Sequence, residues 1–142
     1  MRGKGVLLRD PVSDLFTRIR NGQTARRATI LHPYSRFVSD IIGVLIKQGY
    51  VKSMRIIPPE SPRAPQFNHI EVSLRYDDYG EPAIKRIRRV SKPSRRVYRS
   101  IAQLPLASNG LGSWILTTPK GVIHCAEARQ LSVGGEIIGE VL

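Results

Sequence analysis

The stretch DPVSDLFTRIRNGQ, residues 10–23, predicts the opening helix of the chain. The carboxylate of Asp10 can accept hydrogen bonds from the unpaired amides of a helix N-terminus, and Pro11 fits the first helical position. Apolar residues follow at the i, i+3, i+4, i+7 spacing that places them on one buried face. Asn21-Gly22 predicts the end of this helix. The apolar residues are Val12, Leu15, Phe16 and Ile19.

The segments that follow predict a small lobe with the element order α-β-α-β-β. Residues 28–33, ATILHP, are typical of a short strand. Ser35 is suited to cap a second helix, and Gly49 to close it. Two further strands are predicted over residues 50–57 and 70–76, and the second alternates apolar and polar residues as a half-buried strand does.

A turn at YDDYGEP, residues 76–82, predicts a boundary between two lobes. We expect a basic tail over residues 1–9, an N-terminal α/β lobe over residues 10–80 and a C-terminal lobe over residues 81–142. The second lobe is predicted to be mostly β with short helices. Its expected elements are a turn at Gly110-Leu111-Gly112, strands at SWILTT and EIIGEVL, and a helix at AEARQL. The expected fold class is therefore α+β with two small lobes.

The composition favours a polyanionic partner. Lys and Arg total 23 against 11 Asp and Glu, a formal net charge of +12, which is typical of nucleic-acid-binding domains. The lone cysteine, Cys125, excludes an intramolecular disulfide and a CxxC-type metal site. No window approaches the ~18 to 20 apolar residues of a membrane span, so no membrane partner is expected.

One basic run, residues 85–99, contains eight Lys or Arg side chains and no acidic residue. Guanidinium groups form bidentate hydrogen bonds with phosphate oxygens, and Tyr98 within the run is suited to stack on a base or ribose. The alternative is a solvated, charged strand face with Tyr98 in the core. Because like charges repel each other, the run favours contact with RNA or phosphate.

A second candidate site is TTPKGVIHCAEARQLSVGGEII, residues 117–138. The neighbours His124 and Cys125 resemble a nucleophile and its base, but adjacent side chains usually diverge and no orienting third group is evident. A binding loop explains the stretch better, because threonine hydroxyls and a lysine on one turn suit base edges and ribose 2′-hydroxyls. The glycines either let a ligand approach the backbone or serve turn geometry.

The quoted motifs identify a family resemblance. DPVSDLFTRIRNGQ, VSKPSRRVY, NGLGSWILTTPKGV and EARQLSVGGEII occur here in one order. The chain resembles the universal bacterial-type family of small-subunit ribosomal protein eight, from Asp10 to the C-terminus. The resemblance implies a two-lobed protein that binds the central domain of small-subunit rRNA, supports its assembly and lies beside neighbouring small-subunit ribosomal proteins.

Residues are assigned to RNA binding by their position in these motifs. No catalytic residue, cofactor, metal ion or small-molecule substrate is expected. The alternative function is an RNA-binding translational regulator acting on an mRNA that mimics the rRNA site. The expected RNA-binding residues are Arg18, Arg20 and Asn21 in the first lobe and Ser91, Lys92, Arg95, Arg96, Tyr98, Thr117, Thr118, Lys120, Gly121, Gly134, Gly135 and Glu136 in the second.

Several positions depart from the family pattern. Pro119 replaces a common second serine and Ser94 a usual glycine, while His124 and Cys125 replace a polar helix cap, so a less well capped helix is expected. The proline-rich loop at residues 58–65 is enlarged. Together with the basic start, these changes indicate an organellar ribosome in the mitochondrial matrix, with a bacterial cytoplasm or a plastid as alternatives.

Overall fold

The computed structural model describes residues 10–63, 66–104 and 112–142. The predicted tail at residues 1–9, the Gly110-Leu111 part of one predicted turn and two residues of the proline-rich loop lie outside these ranges. The chain divides into two compact units, the first ending at Ala83 and the second running over Ile84–Leu142. The boundary predicted after residue 80 falls just before this division.

The first unit has the predicted element order α-β-α-β-β. Its three strands form one antiparallel sheet in the order β1-β3-β2, with Ile30 opposite Val72 and Met54 opposite the same residue on the other side. The elements are α1 (Pro11–Thr24), β1 (Thr29–Pro33), α2 (Arg36–Lys47), β2 (Val51–Ile57) and β3 (His69–Leu74).

Both helices of this unit begin as their sequences predict. The Asp10 carboxylate accepts from the amide of Ser13 at 3.3 Å, and the Ser35 hydroxyl accepts from the amide of Val38 at 3.2 Å. The predicted end of α1 at Asn21-Gly22 is wrong, because the helix continues to Thr24. Gly22 serves helix–strand packing instead, since a Cβ there would lie 2.5 Å from Cγ2 of Ile30.

The core of the first unit lies between the two helices and the sheet. The apolar stripe of α1 is fully buried, as the periodicity predicts, and the stripe of α2 is buried beside it. The alternating strand β3 turns its apolar side chains to the same core. The largest buried contributors are Leu15, Phe16, Ile19, Ile41, Ile42, Leu45 and Ile70.

The second unit is a five-stranded antiparallel sheet with one short α-helix. The strand order is β4-β8-β6-β7, and β5 also pairs with β8. Strands β4 and β5 are therefore consecutive partners of one long strand. The elements are β4 (Ile87–Arg89), β5 (Tyr98–Arg99), a 3-10 turn (Ile101–Gln103), β6 (Ser113–Thr118), β7 (Gly121–His124), α3 (Cys125–Leu131) and β8 (Gly135–Val141).

Strand β7 is the element that the sequence reasoning missed. It is only four residues long, and it forms a hairpin with β6 in which Thr118 pairs with Gly121. The residues of this strand lie between a predicted turn and a predicted helix, so the segment is too short to show the period-2 pattern of a strand.

Among the described helices, none is both long and apolar enough to cross a bilayer.

Candidate nucleic-acid interface

Three of the predicted RNA-binding side chains lie in one row across the second sheet. Glu136 on β8 pairs directly with Tyr98 of β5 on one side and with Thr117 of β6 on the other. Directly opposed residues of antiparallel strands project to the same face. Tyr98 is 62% exposed, so it is not the core residue of the alternative interpretation and its ring is accessible to a ligand.

The basic corner, residues 91–96, joins β4 to β5 and is closed by its own hydrogen bonds. The amide of Lys92 donates to the carbonyl of Arg95 at 2.8 Å, and the amide of Arg95 donates back at 2.9 Å. Val90 and Val97, at its two ends, pack on the cluster formed by Leu104, Trp114, Leu116, Cys125 and Ile137. The corner is therefore anchored on both sides by apolar burial, while residues 92–96 are exposed to solvent.

Ser91 and Glu136 hold the base of this corner. The buried Ser91 hydroxyl donates to the Glu136 carboxylate and accepts from the amide of Val97 at 3.1 Å. The Arg96 guanidinium donates to the same carboxylate at 3.1 Å. Glu136 is only 12% exposed. Ser91 and Glu136 therefore act inside the protein, where they orient the corner.

The fold supplies acids that the basic run itself lacks. Glu140, which is almost fully buried on β8, accepts from Arg88 at 2.7 Å and lies 3.4 Å from Arg86. Glu136 forms an ion pair with Arg96 in the same way. Four further cations of the run form no ion pair with an acid within the described residues: they are Lys85, Lys92, Arg95 and Arg99. The positive charge presented to solvent is thus concentrated at the corner and its flanks.

The environment of Glu136 keeps its carboxylate ionised. Partial burial opposes ionisation, but the hydrogen bonds from Ser91 and Arg96 and the nearby charges of Arg96 and Arg89 outweigh that effect. The pKa of Glu136 therefore lies below its usual value. An ionised acceptor in this position fixes the orientation of two donors at neutral pH.

The turn from Thr118 to Gly121 is built around the Thr118 hydroxyl. That hydroxyl accepts from the amide of Lys120 at 3.0 Å and donates to the carbonyl of Gly121 at 2.9 Å. Gly121 has φ of +109°, a conformation that side chains strongly disfavour. Lys120 is exposed at the turn. The Thr118 hydroxyl therefore stabilises the turn through hydrogen bonds within the protein itself. Lys120 is the charged side chain that the turn exposes to solvent.

The glycine pair has a packing role in the sheet. A Cβ on Gly135 would lie 2.2 Å from the carbonyl oxygen of Thr117, and a Cβ on Gly134 would lie 2.5 Å from that of Arg99. Neither glycine has a positive φ. The pair therefore does not adopt the special turn conformation that the sequence allowed. The two glycines let β8 begin between the closely spaced strands β5 and β6.

The comparison with known proteins decides the family. The sequence profile of ribosomal protein S8 matches residues 10–142. The chain belongs to the ribosomal protein S8 family. A small ribosomal subunit protein uS8 of Rhodospirillum centenum is 46% identical over 134 residues, which cover 94% of this chain and 98% of the relative. The uS8 protein of Rhodopseudomonas palustris is 44% identical, over 91% of this chain and 94% of the relative.

Membership in the S8 family settles the class of protein. This is a family of structural ribosomal proteins and not a family of enzymes. The chain is therefore a structural constituent of the small ribosomal subunit, as its motifs predict. Within the described residues, no group of three or more His, Cys, Asp or Glu side chains is arranged to hold a metal ion.

His124 and Cys125, which depart from the S8 pattern, have clear local roles. Nδ1 of His124 accepts from the amide of Ala126 at 3.3 Å, so His124 is the N-cap of α3. The expectation of a less well capped helix is therefore wrong, because the imidazole supplies the acceptor. Cys125 is buried in the apolar cluster. Both are the helix-start and packing residues that the binding-loop interpretation requires.

The residues of α1 that were predicted to bind RNA lie in the first unit, and one of them, Arg18, already forms hydrogen bonds within the protein. Nε of Arg18 donates to the Asp14 carboxylate at 2.7 Å, and its Nη1 donates to the carbonyl of Leu31 at 2.8 Å. Arg20 and Asn21 are exposed at the end of the helix. Arg18 thus connects α1 to β1 through hydrogen bonds, in addition to carrying a positive charge.

Two further cations lie outside the residues that were individually predicted to bind RNA. Arg99 follows Tyr98 on β5, is exposed and pairs with the position of Gly135. Arg27 lies beyond the end of α1 and is also exposed. Arg99 could have been predicted to bind RNA individually, because it belongs to the basic run. No local sequence pattern distinguishes Arg27 from an ordinary solvent-exposed arginine.

Proposed function

We propose that the second unit binds the central domain of small-subunit rRNA through one face, the RNA face. It comprises the basic corner, the exposed ring of Tyr98 and the Thr118–Gly121 turn. The same proposal gives the protein a purely structural role, in which it supports assembly of that domain and lies beside other small-subunit proteins. It has no catalytic step.

The observation that carries the proposal is the row of Tyr98, Glu136 and Thr117. It places a stackable ring, an orienting acid and a hydroxyl-bearing turn next to each other on three strands. The exposed cations Lys92 and Arg95 belong to the basic corner that Glu136 holds through Ser91 and Arg96, and neither has an acidic partner in the described structure. RNA recognition combines phosphate neutralisation, stacking on aromatic rings and contacts to 2′-hydroxyls, and this face presents a group for each.

The absence of catalysis is supported by what the reactive side chains do. His124 caps a helix and Cys125 packs in the core, so neither presents a nucleophile to solvent. The expected outcome is that an rRNA fragment incubated with the purified protein stays intact while it is bound. Cleavage or modification that is lost in a Cys125→Ala variant would contradict this.

The experiment that tests the proposal is a titration of the purified protein with a transcript of the rRNA central domain at several salt concentrations. The double variant Lys92→Ala, Arg95→Ala should reduce the salt slope of log K by about 1.4 to 1.8, since each phosphate contact contributes roughly 0.7 to 0.9. The matched control is Lys52→Ala, Arg63→Ala, which removes two exposed cations from the first unit. Equal slopes for the two double variants would contradict the assignment of the RNA face.

The compartment is a separate part of the proposal. We assign the protein to a mitochondrial ribosome, with a bacterial cytoplasm or a plastid as the alternatives. The basic residues before position 10, where the family match starts, and the four prolines at positions 58, 59, 62 and 65 support the assignment. The relatives that the chain matches are bacterial. Fractionation of source cells, with the protein followed by antibody, should place it in the mitochondrial small subunit; recovery from cytoplasmic or plastid ribosomes would contradict the assignment.

A further inference from the structure

The first unit has a groove beside the end of α1. Its volume is about 590 Å³. Arg18 and Asn21 of α1 form one wall, and the start of β1 forms the other. The lining also includes three residues that were not predicted to bind RNA: Arg27, Thr29 and Leu31.

Arg27 offers the groove a cation on a fixed backbone. Its amide donates to the carbonyl of Gly22 at 2.8 Å, and its carbonyl accepts from the Tyr76 hydroxyl at 2.6 Å. The preceding residue, Arg26, has φ of +56° and its guanidinium lies 3.6 Å from Glu81. Arg26 is thus committed elsewhere, whereas no acid pairs with the Arg27 guanidinium in the described part of the chain.

Leu31 offers the same groove an exposed apolar surface. It is 48% exposed on β1, an edge strand of the three-stranded sheet. Arg18 fixes this wall by donating to the carbonyl of Leu31 while it is held by Asp14. An apolar surface, an uncommitted guanidinium and the amide of Asn21 therefore surround one open volume.

We propose that this groove takes one unstacked nucleotide of the rRNA. Its base lies against Leu31, its phosphate pairs with Arg27, and Asn21 contacts a polar edge of the base or sugar. A nucleotide has both a flat apolar face and an anion, and single-stranded RNA is commonly recognised through bases turned out of the stack. This inference rests on the proposed function, because the nucleotide belongs to the RNA that the second unit binds.

Two variants and one matched control test the groove in the full-length protein bound to the central-domain transcript. Arg27→Ala should raise Kd about tenfold, the loss expected for one hydrogen-bonded charge, and reduce the salt slope by about 0.7. Leu31→Thr should weaken binding severalfold and leave the slope unchanged. Arg36→Ala removes another exposed cation of the same unit, outside the groove lining, and should alter neither quantity.

A photo-crosslinking measurement adds a positional readout. With p-azidophenylalanine in place of Leu31, irradiation should attach the protein to one unpaired nucleotide of the transcript. The same group in place of Phe37, which is 40% exposed on α2, should not label that nucleotide. Identical labelling from both positions, or none from position 31, overturns the proposal.

The outcomes separate the groove from the RNA face. If the wild-type protein does not bind the transcript, the proposed function fails, and the groove inference falls with it. If the wild-type protein binds and Arg27→Ala matches Arg36→Ala, only the groove inference is overturned. If Arg27→Ala keeps its RNA affinity but reconstituted particles lose a neighbouring protein, the groove holds a protein segment and the nucleotide proposal is likewise wrong. Unchanged thermal unfolding of the variants confirms that the exposed side chains were removed without loss of fold.

Discussion

The hydroxyl of Ser91 donates a hydrogen bond to the carboxylate of Glu136, 45 positions further along the chain. The same hydroxyl accepts from the amide of Val97, so one buried side chain joins both ends of the basic corner to β8. Arg96 completes the arrangement from the solvent side. The cations of the corner are thus presented on a scaffold whose geometry is set before RNA arrives.

Ser91→Ala should destabilise the protein by about 1 to 3 kcal/mol, since it leaves the partly buried Val97 amide without its acceptor. RNA affinity should fall as well, because the corner loses its fixed geometry. Urea unfolding and RNA titration measure the two effects. Ser94→Ala, at the exposed tip of the corner, is the matched control and should change stability by less than about 0.5 kcal/mol. Equal effects of the two variants would contradict the role of Ser91.

Glu136 should make the protein sensitive to acid. Because its pKa is lower in the folded protein than in the unfolded chain, the unfolded state binds more protons below the usual value of 4.5. The stabilisation is therefore complete above that pH and is lost as the pH falls through the folded pKa. Thermal unfolding between pH 3 and 6 should show this loss in the wild type. A Glu136→Gln variant should be less stable near neutral pH and should show a flatter profile; a profile as steep as that of the wild type would assign the acid sensitivity to other groups.

Arg95 and Arg96 are adjacent, but they should contribute differently to RNA binding. Arg95→Ala should lower the salt slope of binding by about 0.7 to 0.9, the value for one phosphate contact. Arg96→Ala should lower it less, because the guanidinium already pairs with Glu136. Titrations of the two variants at four or more salt concentrations provide the comparison. A larger slope change for Arg96 would mean that RNA displaces Glu136 from it.

Thr118→Ala should weaken RNA binding by about 1 kcal/mol, the net value of one hydrogen bond. The expected cause is a looser turn, since the hydroxyl bridges the Lys120 amide and the Gly121 carbonyl. Thr118→Ser keeps the hydroxyl and should restore most of the affinity. Isothermal titration of both variants against the same transcript measures the effect. If Thr118→Ser binds as weakly as Thr118→Ala, the methyl group and not the hydroxyl is responsible.

Gly135→Ala should be among the most destabilising single substitutions, at about 3 kcal/mol or more, because the added Cβ meets the backbone of β6 and cannot be relieved by a rotamer change. Gly43→Ala is the matched control. A Cβ at Gly43 meets nothing within 4 Å, and the residue lies inside α2. That change should stabilise the protein by up to about 1 kcal/mol through helix propensity. Chemical denaturation of both variants tests the contrast, and a mild effect at Gly135 would show that β8 can shift.

The local elements of the first unit were predictable because each one is specified by neighbours in sequence. Asp10 and Ser35 cap their helices, and the apolar spacing identifies the faces that become buried. The correction at Gly22 shows where such reasoning stops. A glycine near a helix end is typical of a terminus, yet here it makes room for Ile30, a residue of another element.

The sequence by itself determined the family, the order of the long elements and the basic character of residues 85–99, because these depend on short-range patterns and on composition. Only the tertiary structure decided which of those cations are exposed without an acidic partner. Strand β8 brings Glu136 and Glu140 beside arginines that are far away in sequence, and it leaves Lys92 and Arg95 at the corner. Pairing between strands determines which charges meet, and that pairing is not encoded within any one segment.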